Sequence, residues 1–247
     1  MTAAAVVEVI GVPGLPEVRP GDDVGELIAA HARLQDEDIV VVAQKIVSKA
    51  EGRIRSLKVV EPGESALRYA ERLQADPRVI QVILDETVRV VRDERVLIVE
   101  TRQGYVCANA GVDHSNVPGE DSVTLLPEDS DASASALRRR LEELTGRRLG
   151  VIVADTFGRA WRMGITNVAL GVAGLPALVD YRGRPDDFGQ ELTATLVAVA
   201  DEVACAAELV MGKTDRLPVA VVRGYRPPAP PGSGRDLIRP PELDLFR

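Results

Sequence analysis

Two segments of the sequence each place a carboxylate after an apolar run that is typical of a strand. Asp113 follows residues 105–112, and Asp155, with Thr156 next to it, follows residues 150–154. A buried strand delivers such a side chain in a rigid and partly desolvated state, and carboxylate and hydroxyl oxygens are the ligands that Mg²⁺ or Mn²⁺ prefers. Neither segment has the His or Cys cluster of a zinc site. Each Asp alone would more simply cap a turn, but together they predict a divalent-metal site.

Residues 48–53 and 11–17 are candidate contacts for an anionic ligand. The first segment, Ser-Lys-Ala-Glu-Gly-Arg, follows an apolar strand pattern and places two cations, one of them Lys49, beside a glycine and a hydroxyl. This composition suits a phosphate oxygen, although a charged run is as often a solvated surface. The second segment has two Gly and two Pro, which form a rigid turn and allow a ligand to approach the backbone closely.

Arg159 and Arg162 flank Trp161 shortly after Asp155. The planar guanidinium group matches carboxylate and phosphate oxygens, so both arginines are predicted to hold an anionic substrate. The alternative is ordinary packing of Arg on the Trp ring.

The Met-Gly-Lys-Thr run at residues 211–214 resembles the end of a phosphate-binding P-loop. That motif requires a glycine five positions before Gly212, where Ala207 stands, and a strand leading into the loop. Here a helical pattern leads into it instead, and Gly212 is predicted to end that helix in a left-handed conformation. A standard P-loop kinase is therefore not expected, although Lys213 could still contact an anion.

Composition limits the classes of protein. The chain has 247 residues, 45% of them hydrophobic, which suffices for a full core. A formal net charge of -8 argues against a general nucleic-acid binder. Residues 1–12 lack the basic region of a signal peptide, and no segment has the length of a membrane span. Cys107 and Cys205 lie in apolar patterns and are expected to be free thiols. We expect a cytoplasmic protein with neither membrane nor nucleic-acid partners.

Strand and helix patterns alternate irregularly along the chain. Strands are predicted at 5–12, 38–43, 88–91, 96–100, 105–110, 150–154, 166–173 and 218–223, with a hairpin turn at Gln103 and Gly104. Helices are predicted at 24–34, 65–73, 78–86, 132–144 and 188–211. Because several strands follow one another directly, we expect an α+β fold with mixed sheets. Residues 1–225 would form the folded part, and 226–247 a Pro-rich tail.

Five ordered segments, 14–16, 48–53, 109–116, 155–159 and 222–224, resemble the coenzyme F420:L-glutamate ligase family over nearly the whole chain. The resemblance implies an enzyme that joins L-glutamate to coenzyme F420-0 or its dehydro precursor, with GTP as co-substrate and Mg²⁺ or Mn²⁺ as cofactor. A monovalent cation is a further candidate cofactor. Continued γ-linked extension of the glutamate tail is also implied, as is a two-subdomain monomer that forms an intertwined homodimer.

The resemblance also assigns residues to roles. The metal ligands would be Asp113, Asp155 and Thr156, and the catalytic residues Lys49 and Asp155. Nucleotide contacts would fall on Leu15, Pro16, Glu17, Val18, Gln44, Lys45, Lys49, Asn116, Met211, Gly212, Lys213, Thr214 and Asp215. Three positions depart from the family pattern: Gln44 replaces a hydroxyl residue common in relatives, and Val112 and His114 replace Ile and Ala.

The mechanism that we expect activates a carboxylate as an acyl phosphate before the amine of glutamate attacks it. The metal and Lys49 would offset the negative charge of the triphosphate. Two alternatives stay open: a GTP-hydrolysing phosphatase with water as acceptor, and a non-catalytic nucleotide or deazaflavin carrier. The chain is expected to be either a stand-alone ligase or the first half of a bifunctional protein, since in some relatives a nitroreductase-like domain follows.

Overall fold

The computed structural model describes residues 6–114 and 121–244. Its twelve strands are β1 (Glu8–Gly11), β2 (Ile39–Ala43), β3 (Ile54–Ser56), β4 (Thr87–Arg92), β5 (Ile98–Thr101), β6 (Val106–Ala108), β7 (Ser122–Thr124), β8 (Gly150–Arg159), β9 (Arg162–Ala173), β10 (Val179–Asp180), β11 (Leu196–Val197) and β12 (Val219–Arg223). The helices are α1 (Val24–His31), α2 (Gln44–Ala50), α3 (Glu64–Leu73), α4 (Pro77–Asp85), α5 (Ser130–Thr145) and α6 (Val199–Met211).

The largest sheet has five strands in the order β1-β12-β2-β8-β9. Strands β2 and β8 are parallel, and the other neighbours are antiparallel. The described residues also form a β4-β5-β6 sheet and two strand pairs, β3-β7 and β10-β11. The predicted α+β class with mixed sheets is therefore confirmed.

The central strands are apolar on both faces because helices cover both sides of the large sheet. Val40 and Val42 face one core with residues of α1, α2 and α5, whereas Ile39 and Val41 face a second core with residues of α6. A third core lies between α3, α4 and the smaller sheets, around Leu57 and Leu97. The division into two subdomains stays a prediction.

Several elements differ from the sequence-based expectation. The predicted helix at 188–211 begins only at Val199, because residues 188–198 form turns and β11. Helix α2 was not predicted; its seven residues are too few to display helical periodicity. Strand β8 continues five residues beyond its predicted end at 154.

The Pro-rich tail packs back on the molecule over part of its length. Residues Gly234–Leu237 form a short 3-10 turn, and the N–H of Gly234 donates to Asp131 Oδ1. Leu237 packs against the core beside α6. Among the described residues, no helix combines the length and the apolar character needed to cross a membrane.

Candidate functional site

The candidate site lies where the parallel strands β2 and β8 separate. Their last paired residues are Ala43 and Ala154, after which the chain of β2 turns directly into α2. Strand β8 continues alone beside β9, and its first residue beyond this point is Asp155. The carboxyl ends of adjacent parallel strands are the usual position of ligand sites in open α/β sheets. Asp155 and Thr156 thus lie at the end of the parallel pair, although they are in the middle of β8.

Asp113 reaches the same region through an unusual turn. Asn109, Ala110 and Gly111 follow β6 with φ values of 53°, 55° and 69°, a left-handed conformation that is costly for residues other than Gly. Asp113 then forms an isolated antiparallel bridge with Thr124, through N–H to O distances of 3.1 and 2.9 Å. The strained turn and the bridge together fix the backbone that carries the carboxylate.

We predict that Gly111→Ala destabilises the protein by about 1–3 kcal/mol through strain and overpacking. A Cβ at this position would lie 2.6 Å from Leu126 Cγ, and φ is positive. Urea denaturation would measure the loss. Gly146→Ala is the matched control, because its φ is 66° and no atom lies within 4 Å of its Cβ. Equal losses in the two variants would contradict the packing argument.

Two lysines of α2 each form an ion pair with a carboxylate, and one of these carboxylates is Asp113. Lys45 Nζ donates to Asp113 Oδ2 at 2.7 Å. Lys49, whose side chain is 4% exposed, forms an ion pair with Glu17 of the 11–17 loop. Gln44 is buried, and its Oε1 accepts a 2.8 Å hydrogen bond from Ser48 Oγ. The ion pair between Glu17 and Lys49 therefore connects the 11–17 loop, which contains predicted nucleotide contacts, to helix α2, which carries Lys45 and Lys49.

The other members of the predicted nucleotide loop differ in exposure. Pro16 is exposed and Leu15 packs partly against the core. Val18 is buried in that core, so that only its backbone is accessible to a ligand. Asn116 lies outside the described residues.

The turn after α6 approaches the site from the opposite face of the sheet. Met211 is buried at the end of the helix, and Gly212 follows with φ 58° and ψ -167°. The positive φ agrees with the expected end of the helix, but this ψ lies outside the left-handed helical region. Lys213 Nζ donates to Thr156 Oγ1 at 2.5 Å. Thr214 and Asp215 are exposed.

The surroundings of Asp155 disfavour the charged form of its carboxyl group. The pKa of Asp155 is raised to about 6, with burial as the largest cause; the charge of Asp113 also raises it, whereas the Thr156 N–H, Lys45 and Lys213 lower it. Burial also raises the pKa of the neighbouring Cys107 thiol to about 12, with a second contribution from the charge of Asp155. A cation between the two carboxylates would relieve this unfavourable environment.

The donor set suits a hard divalent cation that shares its coordination shell with a substrate. Within residues 6–114 and 121–244, no three His, Cys, Asp or Glu side chains come close enough together to hold a metal ion. Mg²⁺ is commonly bound through one or two carboxylates, with phosphate oxygens and water as the remaining ligands. Asp113 and Asp155 fit that pattern, and the fit depends on a phosphate ligand.

Arg159 and Arg162 lie at the tip of the β8-β9 hairpin, where they form its last residue pair. Both are exposed, and Arg159 is four residues from Asp155, or about 13 Å along an extended strand. Arg159 donates to the carbonyl oxygen of Met163 at 2.9 Å. The structure therefore does not place these arginines beside the two carboxylates of the same chain, and their role as substrate ligands stays a prediction.

Two polar residues near the site were not identified from the sequence. Asn167 is buried, and its Oδ1 accepts a 2.8 Å hydrogen bond from Thr156 Oγ1. Glu208 Oε1 lies 2.6 Å from Lys213 Nζ. The available signal was a polar residue within an apolar strand pattern at 166–173, and an acidic residue in the apolar run before Gly212.

Comparison with known proteins gives consistent matches over almost the whole chain. The family model described as F420-0:Gamma-glutamyl ligase matches residues 14–224. A coenzyme F420:L-glutamate ligase of Methanopyrus kandleri is 49% identical over 242 residues, which cover 96% of each chain. The protein of that name from Methanocaldococcus jannaschii is 44% identical over 245 residues, 98% of this chain and 97% of the relative. The protein of that name from Haloarcula marismortui is 48% identical over 248 residues, which cover 98% of this chain and 96% of the relative.

Proposed function

Because this chain belongs to the F420-0:gamma-glutamyl ligase family, we propose that it joins L-glutamate to coenzyme F420-0, or to its dehydro precursor, with GTP as phosphoryl donor. Continued γ-linked addition of glutamate is part of the proposal. The observation that carries it is the position of Asp113, Asp155 and Lys45 at the carboxyl ends of β2 and β8. This arrangement suits the phosphates and the metal of a nucleoside triphosphate better than it suits an uncharged ligand.

The reaction requires activation because a carboxylate does not accept an amine directly. In the proposed first step, a carboxylate oxygen of the acceptor attacks the γ-phosphorus of GTP, which forms an acyl phosphate and releases GDP. The amine of glutamate then attacks the acyl carbon, and inorganic phosphate leaves with the former carboxylate oxygen. One amide bond is formed for each GTP consumed.

The residues of this chain would supply fixed charge for both steps. Lys45 and Lys49 are held by carboxylates near the site, and binding of a triphosphate would exchange these contacts for phosphate oxygens. Lys49 is the stronger candidate for a catalytic cation because its side chain is buried, and a charge interaction strengthens when water is excluded. A divalent cation held by Asp113 and Asp155 would neutralise the charge that develops on the transferred phosphoryl group.

An isotope-transfer experiment tests the acyl phosphate. The acceptor is prepared with ¹⁸O in its carboxylate and is incubated with the purified chain, GTP, Mg²⁺ and L-glutamate. The proposal predicts that one ¹⁸O atom appears in the inorganic phosphate for each amide formed. Inorganic phosphate without ¹⁸O, whose one new oxygen comes from water, would instead indicate GTP hydrolysis, which is the phosphatase alternative.

A homodimer is the second part of the proposal. Trp161, Met163 and Ile165 expose large apolar side chains on the β8-β9 hairpin, and Met163 is 96% exposed. Strand β9 is also an edge strand of the large sheet. Apolar side chains clustered on a projecting edge are typical of a protein interface, and a second copy of the chain is the occupant that the family resemblance implies.

Replacement of Met163 by Glu tests this interface. We expect Met163→Glu to shift the wild-type dimer towards monomer in light scattering at micromolar concentration, because a charge in an apolar contact is costly. Val59→Glu is the control, since Val59 is also exposed but lies outside the hairpin. A monomeric wild type, or a Met163→Glu dimer of unchanged affinity, would contradict this part of the proposal. The cytoplasmic location stays a prediction from the sequence.

A further inference from the structure

A cavity of about 330 Å³ lies against the part of β8 and β9 that continues beyond the parallel strand pair. Phe157 of β8 and Val168 of β9 line it. Tyr105 and Val106, where β6 begins, also line it. This volume and a mainly apolar lining are typical of a pocket for a small organic ligand. Among the described residues, the lining includes none of the predicted nucleotide contacts, so the cavity is a candidate site for a different ligand.

The cavity is next to the carboxylate of Asp155. Val168 is directly opposite Asp155 in the β8-β9 pair. Phe157 follows Asp155 by two residues, so both side chains are on the same face of β8, with Cα atoms about 7 Å apart. Burial is the main cause of the raised pKa of the Cys107 thiol, and the charge of Asp155 also contributes. The Tyr105 ring, two residues before Cys107, contacts the Phe157 ring. A molecule in the cavity can therefore extend along β6 to the carboxylate.

Two aromatic rings suit the cavity to a flat ligand. The chain has only three Phe and four Tyr, and one of each lines the cavity. The ring centroids of Tyr105 and Phe157 are 6.5 Å apart in an edge-to-face arrangement. The Tyr105 hydroxyl donates to the carbonyl oxygen of Leu170 at 2.9 Å, which fixes that ring before a ligand binds. A preorganised aromatic pair beside aliphatic side chains favours a rigid ring system over a flexible chain.

The C-terminal tail forms a further wall of the cavity. Leu237, Ile238 and Arg239 line it, and Leu237 also packs against the core beside α6. The N–H of Gly234 donates to Asp131 Oδ1 at 2.6 Å, which fixes the tail where it reaches the cavity. The tail is thus part of the pocket.

Asp201 and Arg239 are charged side chains at the cavity with different surroundings. Asp201 Oδ1 accepts from the Ala169 N–H at 2.8 Å, so this carboxylate serves the edge strand β9. Arg239 is exposed, and it donates to the carbonyl oxygen of Leu243 at 3.3 Å. A contact of that length is weak and can be exchanged for an oxygen of a ligand.

We propose that this cavity holds the deazaflavin ring of the acceptor, while the carboxylate of the acceptor extends past Phe157 to Asp155. The inference rests on the proposed function for the identity of the acceptor. A deazaflavin is a flat tricyclic ring system with carbonyl oxygens, which matches the aromatic lining and the exposed Arg239. The ring does not react in the ligation, so its contacts can select this acceptor among other carboxylates without entering the chemical step.

A variant that fills the cavity tests the proposal without turnover. Val91 lines the cavity from β4 and is 36% exposed, so Val91→Trp should fill it without disturbing a core. The probe is deazariboflavin, which has the ring but no carboxylate to ligate. With a non-hydrolysable GTP analogue present, fluorescence anisotropy measures its Kd. We expect Val91→Trp to raise this Kd by about tenfold or more, because the ring loses apolar contacts. Val88→Trp is the matched control, since Val88 is an exposed residue of β4 outside the cavity.

Steady-state kinetics provide a second readout. We expect Val91→Trp to raise the KM for coenzyme F420-0 by about tenfold and to keep the KM for GTP within about twofold, because the predicted nucleotide contacts lie elsewhere. Val106→Trp, at another exposed valine that lines the cavity, should behave in the same way and replaces Val91→Trp if that variant does not fold.

Three results would overturn the inference. The first is a wild type that does not bind deazariboflavin. The second is a Val91→Trp variant with the melting temperature, the Kd and the KM for F420-0 of the wild type. The third is a Val91→Trp variant that shifts towards monomer with an unchanged Kd, which would assign the cavity to a second copy of the chain. Ligase activity together with any of these results would leave the proposed function intact. Ring binding that Val91→Trp abolishes, in a chain without ligase activity, would support the cavity and reject the proposed function.

Discussion

Asp155→Asn is expected to fold normally and to lose turnover by about 10²–10³-fold, the usual cost of removing one preorganised electrostatic contact to a transition state. The substitution keeps the size of the side chain but removes the charge that would hold the divalent cation. The fold should not suffer, because a neutral amide is less costly to bury than a carboxylate. The raised pKa of Asp155 has that same burial as its largest cause.

The measurement compares glutamate-dependent phosphate release with thermal melting in the same preparation. Asp201→Asn is the matched control, because burial also raises the pKa of the Asp201 carboxyl group. Asp201 Oδ1 accepts a hydrogen bond from the Ala169 N–H, and the amide oxygen of Asn could accept the same bond. We expect the control to retain activity within about threefold, as for changes that leave the reacting groups in place. Near-normal activity of Asp155→Asn would contradict the assigned role of Asp155.

Arg223→Met is expected to lower the free energy of unfolding by about 3–5 kcal/mol, because it leaves a buried carboxylate without its partner. Asp38 is 1% exposed, and Arg223 donates to its two oxygens at 2.8 and 2.7 Å. The ion pair raises the pKa of the Arg223 guanidinium. The Gln35 N–H also donates to Asp38, at 2.8 Å, but a single amide cannot replace the lost charge.

An exposed ion pair of similar geometry provides the control. Arg182 donates to both oxygens of Asp180 at 2.6–3.1 Å, but the two side chains are about half exposed. Exposed pairs contribute about 0–1 kcal/mol, so Arg182→Met should have little effect in urea denaturation. If both variants lost the same small free energy of unfolding, burial would not make the Arg223–Asp38 ion pair more stabilising than the exposed pair. In that case a contribution to stability would not explain the 222–224 motif, which contains Arg223.

The sequence predicted the apolar elements of the fold well and the polar contacts of the site less well. Strands β2 and β12 are apolar runs buried on both faces, and α5 has leucines at helical spacing, so their patterns were sufficient. Strand β8 was predicted to stop at 154, because composition becomes polar there. It continues because β9 still pairs with it after β2 has turned away, which is a tertiary effect.

The candidate site was predicted in its residue types but not in its pairings. Asp113 and Asp155 were selected because each follows an apolar run, and the structure places them near each other. The left-handed turn at Ala110 was not predictable, since Ala has no preference for positive φ. The contact between Lys213 and Thr156 joins residues 57 positions apart. Only the packing of α6 against the large sheet brings these two residues together.

The most direct test of the central claim is mass spectrometry of the acceptor after reaction. The purified chain is incubated with coenzyme F420-0, L-glutamate, GTP and Mg²⁺ or Mn²⁺, and GTP or glutamate is omitted from parallel samples. The proposal predicts that the acceptor gains the mass of one or more glutamyl units only in the complete mixture. Consumption of GTP without this gain, for F420-0 and for its dehydro precursor alike, would contradict the assignment as a glutamate ligase.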